Sequence, residues 1–231
     1  MSENKAKTSF SSTLPFPCCT VNSEGKVTGA SPKISEVFLY NDIEEADLFV
    51  LTGIKYKEIA IDSVLNEYLS VTQLDNYNLA IGNLKARIRM SIIYYYANHN
   101  NYIVCGTGNR SEILIGYFTK HGDGACDIEP IGNLYKTDVF KLSEFLNIPK
   151  EIIEKPPRAG LWDNQTDEDE IGMSYDLLDQ ILYLSTEKYM KNNEIANRLN
   201  ISAEEVDMII NKIIRSKHKS KVPESPAKTI L

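Results

Sequence analysis

The chain has 231 residues, with 25 Lys and Arg against 32 Asp and Glu, so its net charge is −7. An acidic chain does not act chiefly by neutralising nucleic-acid phosphates, although a local basic site for a phosphorylated ligand is compatible with it. No apolar run approaches the ~18–20 residues of a membrane span, and the amino terminus lacks a signal-peptide core. Four cysteines without metal-ligand spacing favour free thiols. We therefore expect a cytoplasmic protein with neither membrane nor nucleic acid as a partner.

Residues 1–34 predict an irregular or disordered leader. They are rich in Ser, Thr, Lys and Pro and show no helical or strand period. Leu14-Pro15-Phe16-Pro17 fits neither a helix interior nor a central strand, because proline removes a backbone donor and restrains its predecessor. Residues 35–231 are predicted to form a single α/β domain with a helical carboxy-terminal part.

Strand and helix patterns alternate in the first part of that domain, a rhythm typical of a parallel sheet. The sequence predicts strands at 37–40, 55–61 and 102–105, and helices at 43–49, 78–98 and 111–118.

The second half of the chain is more helical. Thr137 is expected to cap a helix that runs to about Leu146, and the acidic run 167–170 opens another helix, where negative charge suits the helix dipole. Two last helices are predicted at 192–199 and 203–216.

The first candidate site is the loop after the predicted strand at 102–105. It reads Gly106-Thr107-Gly108-Asn109-Arg110-Ser111-Glu112. Small residues between a parallel strand and a helix let backbone N–H groups approach a phosphate, while Glu112 offers a carboxylate that suits Mg²⁺. A tight turn with a solvated glutamate fits equally well, because a serine replaces the third glycine of the dinucleotide fingerprint.

The second candidate site is the glycine-rich stretch from Thr119 to Asp127. Lys120 can pair with a phosphate or carboxylate, and Asp123 and Asp127 can accept hydrogen bonds from ribose hydroxyls. Taken alone, Asp123-Gly124 predicts a turn.

The third candidate site is a basic cluster near the carboxy terminus. Its members are Lys212, Arg215, Lys217, His218, Lys219 and Lys221. It follows residues 193–202, which look like the first helix and turn of a helix-turn-helix, so a DNA-binding interpretation exists. The alternative is a solvated helix end whose cations complement the helix dipole.

Taken together, these stretches resemble the ammonia-dependent NAD synthetases, which amidate deamido-NAD. The resemblance is collinear from about residue 42 to residue 220. The segments that carry it are Gly82 to Met90, Gly106 to Glu112, Gly116 to Gly124, Asn133 to Lys136, Ala159 to Trp162, Gln165 to Glu168 and His218-Lys219.

The resemblance implies a fold and a reaction. The fold is an α/β domain with a parallel sheet and helices on both faces, Rossmann-like and of the adenine nucleotide alpha-hydrolase type. In the reaction, ATP adenylates the nicotinate carboxylate of deamido-NAD, pyrophosphate leaves, and ammonia attacks the acyl-adenylate to give NAD and AMP. Mg²⁺ is the implied cofactor, and a homodimer is the implied assembly.

The resemblance also implies roles for individual residues. Thr107 and Lys136 are expected to contact ATP, and Glu112 is expected to hold Mg²⁺. The residues expected to bind deamido-NAD are Arg87, Lys120, Asp127, His218 and Lys219. The long helix that carries Arg87 is expected at the dimer interface.

Two features depart from the family pattern. The family opens with a strand and a Ser-Gly-Gly-x-Asp-Ser loop that cradles the ATP pyrophosphate, and no such run occurs in the printed sequence. Arg158 stands where the family has a small hydroxyl residue that touches ATP. We therefore expect the first βα unit to be missing or divergent and the activity of this chain alone to be weak or absent.

Alternative functions remain open from the sequence. One is an impaired homologue that binds deamido-NAD or partners an intact synthetase, and another is a DNA-binding regulator built on residues 190–221. A Rossmann oxidoreductase is the poorest alternative, because the third glycine of the fingerprint is absent.

Overall fold

The computed structural model describes residues 19–21, 27–30, 37–39, 56–74, 77–162, 165–223 and 225. The chain divides into two compact units, Met1–Ala60 and Ile61–Leu231. The sequence predicted a leader over residues 1–34 followed by one domain, and that division stays a prediction. The predicted helix at 43–49 lies outside the described residues.

The first unit contains two pairs of short strands. Strands β1 (Cys19–Val21) and β2 (Val27–Ala30) pair antiparallel, although the sequence predicted an irregular leader there. The strands are too short to show a period, and pairing between them supplies the backbone hydrogen bonds.

The second pair of strands was predicted. Strands β3 (Val37–Leu39) and β4 (Tyr56–Glu58) pair in parallel, with Val37 opposite Tyr56. The predicted strand at 102–105 is reduced, within the described ranges, to one parallel bridge between Cys105 and Ile128. Parallel pairing is thus present between β3 and β4 and at Cys105. The described strands do not form one continuous sheet.

Helices dominate the second unit. In the described part of the chain they are α1 (Asp62–Thr72), α2 (Asn78–Asn100), α3 (Arg110–Ile115), α4 (Lys136–Phe145), α5 (Lys150–Ile153), α6 (Asp167–Ile171), α7 (Tyr175–Thr186), α8 (Asn192–Leu199) and α9 (Ala203–Ser216). The predictions for α2, α6, α8 and α9 are confirmed, whereas α1 and α7 were not predicted. Within these ranges, no helix has both the length and the apolar character needed to cross a membrane.

The main core is built around α7. Leu178, Ile181 and Leu182 are fully buried, and they share one cluster with Ile195 of α8 and Ile209 of α9. These positions repeat at helical spacing, so one face of α7 is covered along its length. A smaller cluster joins α1 to α2 through Ile61, Leu65 and Ile88.

The end of α3 lies against the end of α9. Helix α3 stops at Gly116, whose φ of 69° is in the left-handed region that favours glycine. A Cβ atom at Gly116 would lie 2.1 Å from the Cβ of Ser216, so only glycine permits this approach. The contact places residues 116–118 beside the chain that leaves α9.

A buried carboxylate on α7 fixes the start of α4. Asp179 is 5% exposed; it accepts a short hydrogen bond from the Ser111 hydroxyl and another from the Thr137 N–H at 2.9 Å. The Ser111 oxygen in turn accepts from the Lys136 N–H at 2.9 Å. Two unpaired N–H groups at the start of α4 are therefore satisfied by side chains distant in sequence.

This arrangement corrects the predicted cap. Tyr135, not Thr137, is the N-cap residue of α4, and its side chain makes no capping hydrogen bond. Thr137 lies inside the first turn, because Ser111 and Asp179 take over the capping role.

Removal of the Asp179 carboxylate should destabilise the fold. We expect Asp179→Ala to lower the free energy of unfolding by about 1–3 kcal/mol, since it leaves the Ser111 hydroxyl and the Thr137 N–H buried without an acceptor. Urea titration followed by circular dichroism measures this change. The exposed Glu144→Ala on α4 is the control, with an expected change within about 0.5 kcal/mol. Equal losses for the two variants would contradict the anchoring role.

The same carboxyl group gives the stability a pH dependence of predictable sign. Burial raises the pKa of Asp179 above its ordinary value, against the opposing effect of its hydrogen bonds to Ser111 and Thr137. The contribution of Asp179 to stability is thus complete below the unfolded-state pKa of about 4 and is lost as pH rises through the raised folded-state pKa. An Asp179→Asn variant does not titrate, so its stability deficit relative to the parent chain should shrink between pH 4 and pH 7.

Candidate functional site

The loop from Gly106 to Glu112, called the Thr107 loop below, begins at the bridge between Cys105 and Ile128. The Gly106 N–H donates to the Ile128 carbonyl at 2.7 Å. A Cβ atom on Gly106 would lie 2.6 Å from the Cys126 sulfur, and one on Gly108 would lie 2.9 Å from a Glu129 carboxylate oxygen. Close packing against Cys126 favours glycine at 106, whereas the Glu129 side chain beside Gly108 could move aside, and Thr107 is exposed between the two glycines.

A reciprocal cap fixes Glu112 at the end of this loop. The Asn109 side-chain oxygen accepts from the Glu112 N–H at 3.1 Å, and the Glu112 carboxylate accepts from the Asn109 N–H at 3.2 Å. This capping box satisfies two unpaired donors of α3 and uses only one of the two Glu112 oxygens. The other oxygen remains available for a cation.

That second oxygen of Glu112 meets Lys136. The Lys136 Nζ lies 3.2 Å from Glu112 Oε1, and the two side chains are 18% and 17% exposed. Lys136 is the first residue of α4, so the Asp179 and Ser111 anchor holds its backbone opposite the Thr107 loop. The structure therefore brings the predicted ATP residue Lys136 and the predicted metal ligand Glu112 into one ion pair.

The carboxylate of Glu112 lines a small cavity that fits a Mg²⁺ site shared with phosphate. The cavity measures about 50 Å³ and is also bordered by Thr107, Asp123 and Glu129. Among the described residues no group of three His, Cys, Asp or Glu side chains could hold a metal ion by itself. Mg²⁺ is commonly held by one or two carboxylates, with waters and substrate phosphates completing its octahedron, so Glu112 suits that role.

A second cluster joins four of the five residues predicted to bind deamido-NAD. Arg87 of α2 donates from Nε to the Lys120 carbonyl at 3.3 Å, and Lys120 donates from Nζ to the His218 carbonyl at 2.9 Å. Lys219 donates from Nζ to the carbonyls of Gly116 and Phe118, at 2.7 and 2.8 Å. His218 takes part through its backbone carbonyl, and its own ring lies 2.9 Å from the Arg215 carbonyl.

Lys219 is partly withdrawn from water. Burial lowers its pKa, while the nearby Asp123 carboxylate opposes that shift. The pKa of Asp123 is raised, because burial outweighs the hydrogen bond that Asp123 accepts from the Thr119 N–H at 3.0 Å. A partly buried ammonium group is stabilised by a nearby phosphate, because the attraction between opposite charges offsets the cost of its desolvation.

Asp127, the fifth predicted residue, is held elsewhere along α2. Its carboxylate accepts from the Val104 N–H at 2.6 Å and from the Tyr94 hydroxyl at 3.4 Å. Tyr94 follows Arg87 by seven residues, which is about two helical turns or roughly 10 Å along the same face of α2. Asp127 therefore lies farther along the helix face that carries Arg87, without a hydrogen bond to the other four residues.

Two tyrosines and an aspartate behind this region were not predicted as site residues. The Tyr175 hydroxyl donates to Asp167 at 3.0 Å, and the Tyr117 hydroxyl lies 3.1 Å from Asp167 and 2.6 Å from Glu170. Burial raises the pKa of Asp167, which favours its protonated form. The sequence showed an acidic helix start at 167–170 and a family segment from Gln165 to Glu168, but neither pattern indicated that the Asp167 carboxyl is buried.

The segment at 159–162 packs on α2. Lys85 donates from Nζ to the Leu161 carbonyl at 2.7 Å, and a Cβ atom at Gly82 would lie 3.1 Å from both Leu161 and Trp162 side-chain atoms. The preceding Arg158, which departs from the family pattern, is exposed. The motif segments Gly82 to Met90 and Ala159 to Trp162 are thus neighbours in space.

The basic cluster near the carboxy terminus does not have the charge pattern of a DNA-binding helix-turn-helix. Helices α8 and α9 follow one another as expected, but the first turn of α9 carries Glu204 and Glu205. A recognition helix places its amino-terminal residues at the DNA, where carboxylates repel phosphate. The basic residues instead lie at the other end of α9, where Lys212, Arg215 and Lys219 border an open groove of about 300 Å³.

Comparison with known proteins gives one consistent result. The NAD synthase family model matches residues 30–223. An NH(3)-dependent NAD(+) synthetase from Thermococcus sibiricus is 42% identical over 217 residues, covering 94% of this chain and 84% of that protein. Another from Methanocaldococcus jannaschii is 48% identical over 191 residues, covering 80% and 73%.

Solved structures agree with this result. An NMN synthetase from Francisella tularensis superposes with a TM-score of 0.70 at 36% identity, over 83% of this chain and 77% of that chain. An NH3-dependent NAD synthetase from Campylobacter jejuni superposes with a TM-score of 0.64 at 31% identity, over the same shares. These neighbours establish an α/β fold, and the family match covers most of the sequence. The chain belongs to the NAD synthase family.

Proposed function

We propose that this chain binds ATP and deamido-NAD and catalyses the amidation of deamido-NAD by ammonia. The observation that carries the proposal is the assembly of both predicted groups in one unit, the Glu112–Lys136 pair and the cluster of Arg87, Lys120 and Lys219. A parallel sheet with helices on both faces, with the family's first βα unit missing or divergent, is part of the same proposal. Four cysteines without a CxxC pair or metal-ligand spacing favour a reducing compartment such as the cytoplasm.

In the first step, a carboxylate oxygen of the nicotinate forms a bond to the α-phosphorus of ATP. The bond from that phosphorus to the bridging oxygen breaks, and pyrophosphate leaves with the electron pair. Lys136 is the cation placed to neutralise charge on the departing group, and Thr107 offers an exposed hydroxyl beside it. A charge fixed in advance stabilises a transition state more than solvent does, because it needs no reorganisation.

In the second step, the ammonia nitrogen attacks the acyl carbon of the adenylate. The bond from that carbon to the AMP oxygen breaks and the nitrogen gives up one proton, so NAD, AMP and a proton are released. Arg87, Lys120 and Lys219 supply cations for the diphosphate of deamido-NAD. With the diphosphate held by these cations, the nicotinate carboxylate of the first step is positioned next to ATP. Such positioning makes the reaction effectively intramolecular and accounts for much of the rate acceleration in sites of this kind.

Glu112 is the residue that would hold Mg²⁺. When bound, the ion neutralises charge on the phosphate oxygens of ATP. Glu112 keeps one oxygen in the capping box with Asn109 and has the other for the cation, in place of Lys136.

The outer face of α1 supports a homodimer. Val64, Tyr68 and Val71 repeat at helical spacing and are 41%, 51% and 72% exposed, whereas the opposite face packs on α2 through Leu65. Tyr95 of α2 is 71% exposed. The row of exposed apolar side chains along α1 is the feature that would be buried in a dimer.

Lys136 and Arg87 should each affect the binding of a different nucleotide. We expect Lys136→Gln to weaken ATP binding about 10- to 100-fold and Arg87→Gln to weaken deamido-NAD binding by a similar factor, each with little effect on the other ligand. Isothermal titration calorimetry of each nucleotide with Mg²⁺ measures both affinities. The control is Lys141→Gln on α4, whose side chain is 73% exposed. Equal losses of both ligands in both variants would contradict the assignment.

The absent Ser-Gly-Gly-x-Asp-Ser loop should limit turnover. We expect the purified chain to form NAD at least about 10²–10³-fold more slowly than a relative that carries the loop, because pyrophosphate lacks a set of preorganised backbone donors. Chromatographic assay of NAD from ATP, deamido-NAD and ammonium at equal protein concentration gives the comparison. Turnover within tenfold of the relative would show that other residues replace the loop.

Charge on the outer face of α1 should disrupt the proposed dimer. We expect Tyr68→Glu to shift the chain from dimer to monomer in analytical ultracentrifugation, because each copy would then bury an unpaired carboxylate at the interface. Tyr189→Glu, at an 85% exposed tyrosine beyond α7, is the matched control and should leave the mass unchanged. A parent chain that sediments as a monomer would reject the proposed assembly.

A further inference from the structure

Asp167 is a buried carboxyl that joins two tyrosines from separate parts of the chain. It is 4% exposed, its Oδ2 accepts from the Tyr175 hydroxyl at 3.0 Å, and its Oδ1 lies 3.1 Å from the Tyr117 hydroxyl. None of the three residues belongs to the predicted ATP or deamido-NAD contacts. Tyr175, however, contacts Lys136, and the two chain neighbours of Tyr117 contact Lys219.

Tyr175 leads to the ATP side. The Lys136 ammonium lies 5.1 Å from the centroid of the Tyr175 ring, within the range of a cation–π contact. The same ammonium is 3.2 Å from Glu112, so the ring and the carboxylate together define its position. Tyr175 is only 2% exposed, and its hydroxyl is held by Asp167, which fixes the ring beneath the cation.

Tyr117 leads to the deamido-NAD side. Its two chain neighbours, Gly116 and Phe118, provide the carbonyls that accept from the Lys219 ammonium. The Tyr117 N–H donates to the Glu112 carbonyl at 2.8 Å, so the backbone of this segment is tied to α3 at one end. The hydroxyl contacts with Asp167 and Glu170 tie the side chain at the other end. The carbonyls that orient Lys219 are therefore held by the anchor at Tyr117.

We propose that Asp167 is a positioning residue for both substrates, acting on ATP through Tyr175 and Lys136 and on deamido-NAD through Tyr117 and Lys219. The inference rests on the proposed function, because it takes the ligands of Lys136 and Lys219 from there. Asp167 touches neither substrate itself. Its effect is transmitted by two hydroxyl groups, each of which can be removed alone.

The two arms predict a divided response. Tyr175→Phe removes the hydroxyl bonded to Asp167 and should weaken ATP binding about three- to tenfold, with deamido-NAD binding unchanged within twofold. Tyr117→Phe should weaken deamido-NAD binding about three- to tenfold, with ATP binding unchanged within twofold. Asp167→Ala removes the acceptor of the Tyr175 hydroxyl and one of the two carboxylate contacts of the Tyr117 hydroxyl, since Glu170 remains. It should weaken ATP binding about tenfold, at the low end of the loss that follows removal of an outer-shell partner, and deamido-NAD binding about threefold.

A conservative variant separates positioning from charge. Asp167→Asn keeps an oxygen for the Tyr175 hydroxyl and presents an N–H group to the Tyr117 oxygen. If Asp167 acts by hydrogen bonding, Asn should recover most of both affinities relative to Ala. An Asn variant as weak as the Ala variant for both ligands would overturn positioning through the hydroxyls.

The experiment is calorimetric titration of the full chain and each variant with ATP plus Mg²⁺ and, separately, with deamido-NAD. Tyr183→Phe is the control, a tyrosine on the same helix whose ring faces Lys188. A loss of only thermal stability, or equal losses of both ligands in the two single tyrosine variants, would overturn the inference while leaving the proposed function intact. A parent chain that binds neither nucleotide would reject the proposed function, and one that binds a single nucleotide would overturn the claim of a dual role.

Discussion

The contact between Asp179, Ser111 and the first turn of α4 is the constraint on which the site depends. A helix start leaves N–H groups without partners, and burial makes each unpaired group costly. Here the partners come from α3 and α7 rather than from the residues just before α4. Because the same hydrogen bonds fix the backbone of Lys136, the anchor also sets that ammonium opposite Glu112. Structural stability and placement of the Lys136 ammonium thus have one physical origin.

A second layer of polar contacts surrounds this anchor. Asp167 and the hydroxyls of Tyr117 and Tyr175 lie behind the Lys136 ammonium and beside the segment that holds Lys219. Buried polar groups of this kind are worthwhile only when their hydrogen bonds are satisfied, and a satisfied network allows few alternative arrangements. The ammonium groups of Lys136 and Lys219 are therefore both backed by buried polar contacts.

The elements that the sequence predicted well are those with a strong local pattern. Helices α8 and α9 begin and end where predicted, since Ser202 and the capping box with Glu205 mark the start of α9 in the sequence itself. The parallel partners β3 and β4 lie within the strands predicted at 37–40 and 55–61, because the strand–helix–strand spacing indicated a parallel sheet. Helix α7 was not predicted although it carries the core, and Thr137 was wrong as a cap because Asp179 comes from 42 residues farther along the chain.

The sequence by itself determined the family, the candidate residues and the departure at the pyrophosphate loop, because these are matters of residue type and order. The tertiary structure alone decided which candidates meet: Glu112 with Lys136, and Arg87 with Lys120 and the end of α9. It also placed Asp127 apart from that second cluster and brought Asp167 to the tyrosines. The reason is that hydrogen bonds between distant residues and the burial of α7 have no local pattern; they exist only once the helices have packed.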